Sequence, residues 1–138
     1  MSDECIFCQI VEGKLPSSKV YETDCVYAFL DLNPCHEGHT LVIPKAHCKD
    51  IFDADTSVGQ EVLAAMQKVG EALKKVTGCP GVNILQNNGR AAGQMVYHLH
   101  WHVIPRFAGD GFTLWPQKKY ESSEAMNEMA QKLREALS

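Results

Sequence analysis

No run of apolar residues in this 138-residue chain is long enough to cross a bilayer, so no membrane span and no membrane partner are expected. The stretch Met1-Ser2-Asp3-Glu4 lacks the basic start and apolar run of a secretory signal, which points to an intracellular, cytoplasmic protein. Positive charge is also short. Thirteen Lys and Arg against seventeen Asp and Glu leave a net charge of -4, which argues against a nucleic-acid-binding surface. A mononucleotide needs only a few local donors and stays possible. Internal repeats and low-complexity segments are absent. Without an oxidising compartment, the six cysteines (5, 8, 25, 35, 48 and 79) read as thiols or metal ligands rather than disulfides. With 45% hydrophobic and 22% charged residues, the chain suits one globular domain over residues 1–138.

What is present centres on Val96-Tyr97-His98-Leu99-His100-Trp101-His102-Val103-Ile104. Strict alternation is the period of a β-strand, so His98, His100 and His102 are expected on one face. Tyr97, Leu99, Trp101 and Val103 are then expected on the other, as core. Buried imidazoles each need a hydrogen-bond partner or a ligand. Three on one face therefore suggest an active-site strand, with metal binding by all three as the alternative.

The rest of the chain reads as an α+β domain. Cys5 to Val11 suits a short helix that puts Cys5 and Cys8 on one side. Alone, that C-x-x-C pair is open between zinc, redox chemistry and coincidence. Lys19–Glu22, Cys25–Leu30, His39–Ile43 and Val82–Gln86 read as strands of a mostly antiparallel sheet. Ser57 to Val76 reads as the main helix. It has a Ser57–Gln60 capping box, an apolar stripe of Val58, Val62, Met66, Val69, Leu73 and Val76, and Gly78 at its C-terminus. Asn87 to Gln94 is either a simple hairpin loop or a glycine-bearing anion nest, with amide donors at Asn87 and Gln94. Ser122 to Leu137 reads as a terminal helix with Met126, Met129, Ala130, Leu133 and Leu137 on one face. Asp31, just past a strand, is either a turn residue or an acceptor for ribose hydroxyls.

The histidine alternation resembles the signature of the histidine triad family of nucleotide hydrolases and transferases. Further matches run along the chain in order: Cys5-Ile6-Phe7-Cys8, Ala28 to Pro34, Gly38 to His47, Asn87-Asn88-Gly89 and Gly93-Gln94. The resemblance implies a fold of about five mostly antiparallel strands, one main helix, a short N-terminal helix and a C-terminal helix. It implies that residues 1–108 carry the triad, while 109–138 reach a partner in a homodimer. His100 becomes the nucleophile that attacks an α-phosphorus and forms a nucleotidyl-histidine. His102 hydrogen-bonds the phosphate, His39 orients the site, and Gln94 with the amides near Gly93 and Met95 stabilises developing charge. Phe7, Ile10, Phe29 and Leu32 match a base-binding wall, Asp31 a ribose acceptor and Asn87 a phosphate contact. Cys5, Cys8, His47 and His98 match ligands of a structural zinc. The implied partner is a purine nucleoside monophosphate such as AMP, or its conjugates. The implied reaction is hydrolysis of a nucleoside 5'-phosphoramidate. Dinucleoside polyphosphate hydrolysis, nucleotidyl transfer and a nucleotide-binding regulatory role are the alternatives. Met95 departs from the serine or threonine of many relatives, and a thioether donates no hydrogen bond.

Overall fold

A computed structural model describes residues 4–138; Met1, Ser2 and Asp3 of the acidic N-terminal stretch lie outside them. The elements in order are α1 (Ile6–Val11), β1 (Lys19–Glu22), β2 (Val26–Leu30), β3 (Thr40–Pro44), α2 (Val58–Thr77), β4 (Gly81–Leu85), β5 (Trp101–Arg106) and α3 (Ser123–Leu137). The five strands form one sheet in the order β1-β2-β3-β5-β4, antiparallel at every junction. This is the α+β architecture expected.

The alternation within β2 and β3 assigns the two faces of the sheet. Val26, Ala28 and Val42 point one way and meet Val62, Ala65, Val69 and Leu73 of α2. Tyr27, Phe29, Leu41 and Ile43 point the other way and meet Phe7 and Cys8 of α1. Burying such side chains on both faces supplies the main stabilisation and leaves both helices anchored. Gly38 serves this packing. Its φ of +99° suits glycine, and a Cβ there would lie 2.8 Å from the Leu73 side chain.

Three local expectations are corrected. β5 begins at Trp101 rather than Val96. β3 runs out at Pro44, which has no N–H for a ladder. The Leu99 N–H instead donates to the Cys48 carbonyl at 2.8 Å. His98 and His100 therefore precede the strand, and Tyr97, expected in the core, is exposed. Ser57 forms no capping box: its own N–H and Oγ both donate to Asp55 Oδ1. Val76 falls off the apolar stripe and is 83% exposed, while Ala65 lies on it and is buried. The C-terminus of α2 forms as expected, on Gly78 with φ +73° and its N–H on the Lys74 carbonyl. α3 is capped by Ser122 and has no buried residue.

Candidate active site and metal cluster

At the N-terminus of α1, Cys5 Sγ accepts the Cys8 N–H, so the two thiols face the same side. The loop after β3 brings His47 to them, and the segment before β5 brings His98. Cys5 Sγ and Cys8 Sγ lie 3.3 and 3.5 Å from His98 Nδ1, and Cys8 Sγ lies 3.4 Å from His47 Nδ1. The two Nδ1 atoms are 3.3 Å apart. Zinc–nitrogen bonds of roughly 2.0–2.1 Å and zinc–sulfur bonds of roughly 2.3 Å give tetrahedron edges of about 3.3 Å between nitrogens and about 3.5 Å between nitrogen and sulfur. The cluster therefore has the dimensions of a metal-binding tetrahedron. His98 Nε2 donates to the Pro44 carbonyl at 2.8 Å, which leaves the Nδ1 lone pair facing the thiols. Burial, helped by the neighbouring Cys5, pushes the Cys8 thiol up to about 11. A cation is what would offset that cost and favour the thiolate. Cys48 stands outside this group.

His98 is thus turned away from the other two triad histidines, and metal binding by all three is overturned. Its backbone still serves them. His98 O accepts the Nδ1–H of His100 at 2.7 Å, so His100 is held as the Nδ1–H tautomer with its Nε2 lone pair free. His102 is held the opposite way. The Cys35 N–H donates to His39 Nδ1 at 3.0 Å, so the proton of neutral His39 sits on Nε2. That N–H donates to His102 Nδ1 at 2.9 Å, with Asp31 Oδ2 at 3.5 Å, and His102 therefore carries its own proton on Nε2. The same bond from Cys35 argues against a second metal on Asp31, His39 and His102, because it occupies the nitrogen that would have to be protonated. Burial pushes His39 and His100 below the usual imidazole value and His102 down to about 4, so all three are neutral near pH 7.

His100 and His102 open onto a cleft of about 520 Å³. Phe7, Ile10 and Phe29 form its apolar wall, and the Phe7 ring stands edge-on to Phe29 and His100 with centroids 5.4 and 5.2 Å away. Leu32 borders it at 93% exposure, on the rim rather than in the wall. Asp31 lines the cleft and also fills the turn role: Oδ1 accepts the Asn33 N–H, while Oδ2 points toward His39. Asn87, Gly93 and Met95 also line the cleft. Sequence reading missed several lining residues, among them Leu41, Ser17 and Ser18. Leu41 pairs with His102 across β3 and β5, a register that the alternation of both segments carries.

Gln94 does not line the cleft. It is almost fully buried, with Nε2 on the Lys49 and Val96 carbonyls and Oε1 on the Gly89 N–H. The side chain expected to stabilise charge is instead used up in bracing the loop. The Gly93 and Gln94 N–H groups are also turned inward, to the Arg90 and Gly89 carbonyls. Among the described residues the Met95 N–H has no protein partner and remains available. Gly93 has φ +97°, a backbone conformation that favours glycine, and it sits beside the Asn87 amide.

Comparison with known proteins places this geometry. The HIT domain family matches residues 12–109. An uncharacterised HIT-like protein of Borreliella burgdorferi is 50% identical over 111 residues, 79% of this chain and 80% of that protein. The adenosine 5'-monophosphoramidase of Schizosaccharomyces pombe is 43% identical over 102 residues, 74% of each. A Zn-bound histidine triad family protein from Mycobacterium smegmatis superposes with a TM-score of 0.78 at 35% identity, covering 99% of both chains. Among the described residues, no helix is long and apolar enough to cross a membrane.

Proposed function

Because the chain belongs to the HIT domain family, we propose that it is a nucleotide hydrolase that cleaves nucleoside 5'-phosphoramidates or related α-phosphate conjugates through a nucleotidyl-His100 intermediate. The observation that carries this reading is the 2.7 Å bond from His100 Nδ1–H to His98 O, which leaves Nε2 as a free nucleophile on the cleft. The similarity to a named adenosine 5'-monophosphoramidase supports the substrate class.

In this reading the base lies against Phe7, Ile10 and Phe29, and Asp31 accepts from the ribose. The His100 Nε2 attacks the α-phosphorus, and the bond to the leaving group breaks as the departing group takes that electron pair and a proton from solvent. Water then attacks the same phosphorus and gives a proton back to solvent, the P–Nε2 bond breaks, and its electron pair returns to His100. Splitting one displacement into two lowers each barrier. His102 Nε2–H and the Met95 N–H donate to phosphate oxygens as charge builds. Asn87 donates from the loop. Gln94 acts through the loop it braces, and His39 acts through His102.

Cys5, Cys8, His47 and His98 would hold a zinc ion, as the tetrahedral spacing and the Zn-bound relative support. Such a site has four protein ligands and no open position, so the metal would serve structure by tying α1 to the triad segment. The cytoplasmic homodimer and the division at residue 108 belong to the same reading. Residues 109–138 end in α3, whose Met126, Met129, Leu133 and Leu137 are exposed and available to a partner copy.

The test is hydrolysis of adenosine 5'-phosphoramidate and diadenosine polyphosphates by wild type and His100→Ala. The reading expects phosphoramidate turnover that falls to background in the variant. Faster turnover of the dinucleotides would move the substrate class. Tight AMP binding with turnover of neither would make the protein a binding module.

A further inference from the structure

Asp110, in the turn after β5, accepts five hydrogen bonds. Arg106 closes a fork on it through Nε and Nη2, each at 2.7 Å. The Phe107 and Phe112 N–H groups donate at 3.1 and 3.2 Å, and His36 Nε2 at 3.1 Å. The Asp110 side chain is only 6% exposed. Its carboxylate, ionised beside the guanidinium, has no proton to offer, so His36 is the donor. The His36 ring also packs edge-on against Phe107 and Phe112, with centroids 5.4 and 4.8 Å away.

His36 stands inside the loop that grips His39. One residue earlier, the Cys35 N–H holds His39 Nδ1. The His36 carbonyl itself accepts the His39 backbone N–H at 3.0 Å. Leu32, Asn33, Pro34, Cys35 and Glu37 are all exposed, so from Leu32 to Glu37 His36 is the side chain that anchors the loop inward, while Asp31 Oδ1 holds the Asn33 N–H at its start.

We propose that His36, pinned by Asp110, is a positioning residue that keeps the Cys35 N–H on His39 Nδ1 and so keeps the Nε2–H of His102 aimed at the cleft. The chain of consequence is short. When the Cys35 N–H moves away, nothing forbids a proton on His39 Nδ1. His39 Nε2 then presents a lone pair to His102 Nδ1. His102 answers by carrying its proton on Nδ1, and the donor facing the cleft is lost. No net proton is gained or lost; the protons change sides. Asp31 Oδ2, 3.5 Å from His39 Nε2, favours the original arrangement, so the populations shift rather than switch completely. The catalytic consequence rests on the reading of His102 as a phosphate donor. The tautomer consequence does not.

The experiment compares wild type, His36→Ala and His36→Gln. Two-bond proton–nitrogen spectra of the imidazoles report the tautomers of His39 and His102 without any substrate. Rates with adenosine 5'-phosphoramidate give kcat and KM. In wild type both rings are expected as Nε2–H. In His36→Ala a second, Nδ1–H form is expected at both, with kcat lowered by the fraction of His102 that has lost its Nε2–H and KM little changed. His36→Gln keeps a donor at the reach of Nε2 and is expected to restore both readouts. Wild-type tautomers in a folded His36→Ala overturn the proposal, as does failure of His36→Gln to restore them. Should His36→Ala not fold, His36→Leu, which keeps apolar bulk against Phe107 and Phe112 but offers Asp110 no donor, takes its place: shifted tautomers support the proposal and wild-type tautomers overturn it. Expected tautomers with no wild-type turnover would sink the hydrolase reading and leave the positioning role standing.

Discussion

The backbone carbonyl of His98 accepts the Nδ1–H of His100 at 2.7 Å, while the His98 ring turns away to the thiols of Cys5 and Cys8. One residue thus belongs to two sites. Its side chain closes a Cys/His cluster that could hold a metal, and its main chain sets the tautomer of the proposed nucleophile. The two sites share a short segment of chain, which makes the cluster a support for the chemistry.

Metal removal tests that support. Chelation, or Cys8→Ser, is expected to abolish stoichiometric zinc binding and lower the Tm. It should also weaken AMP binding, because α1 carries Phe7 into the cleft wall. Metal analysis beside calorimetry and nucleotide titration checks this. A Cys8→Ser protein with unchanged zinc content would remove Cys8 from the ligand set.

Acid should act in a defined window. In the unfolded chain an imidazole takes up its proton near about pH 6.5. In the folded protein, burial holds His102 neutral down to about 4 and also lowers His39. Between those values the unfolded state binds more protons, so stability is full above pH 6.5 and falls as the pH drops toward 4. Denaturant midpoints measured across this range should show the decline, and His102→Asn should flatten part of it. A midpoint unchanged down to pH 4 would contradict the assignment of neutral buried imidazoles.

Gln94→Leu removes a side chain that makes three hydrogen bonds and strands the Lys49 carbonyl and the Gly89 N–H. Lys49 is exposed and Gly89 half-buried, so water can pair part of what is left, and the cost per lost bond is about 0.5–1.5 kcal/mol. The loop carrying Gly93 and Met95 should loosen, raising KM. Urea titration and steady-state kinetics check it. A variant of wild-type stability with kcat alone reduced would restore Gln94 to direct contact with substrate.

The alternating histidines pointed to the candidate site because side-chain types carry that signal, whereas the paired cysteines and the aspartate after a strand were left open by the residues and joined the candidate site only through the family resemblance. Most of the α2 face followed from periodicity, Val76 excepted. What was not readable runs through the main chain. That β5 starts only at Trp101 depends on Pro44 ending its neighbour and on the Cys48 carbonyl capturing the Leu99 N–H. The tautomers of His39 and His100 are set by the backbone of Cys35 and His98, which no side-chain pattern encodes. Gln94 looked like a free donor because its type permits that role. Only its burial assigns it to the loop.

The central claim is that His100 Nε2 forms a bond to phosphorus. The most direct measurement is acid-free quenching of the protein during turnover of adenosine 5'-phosphoramidate, followed by intact-mass analysis and peptide mapping under conditions that preserve phosphoramidate bonds. The account predicts an adenylyl adduct on His100 in wild type and none in His100→Ala. An adduct on His102 or His39, or turnover by His100→Ala at the wild-type rate, would contradict it.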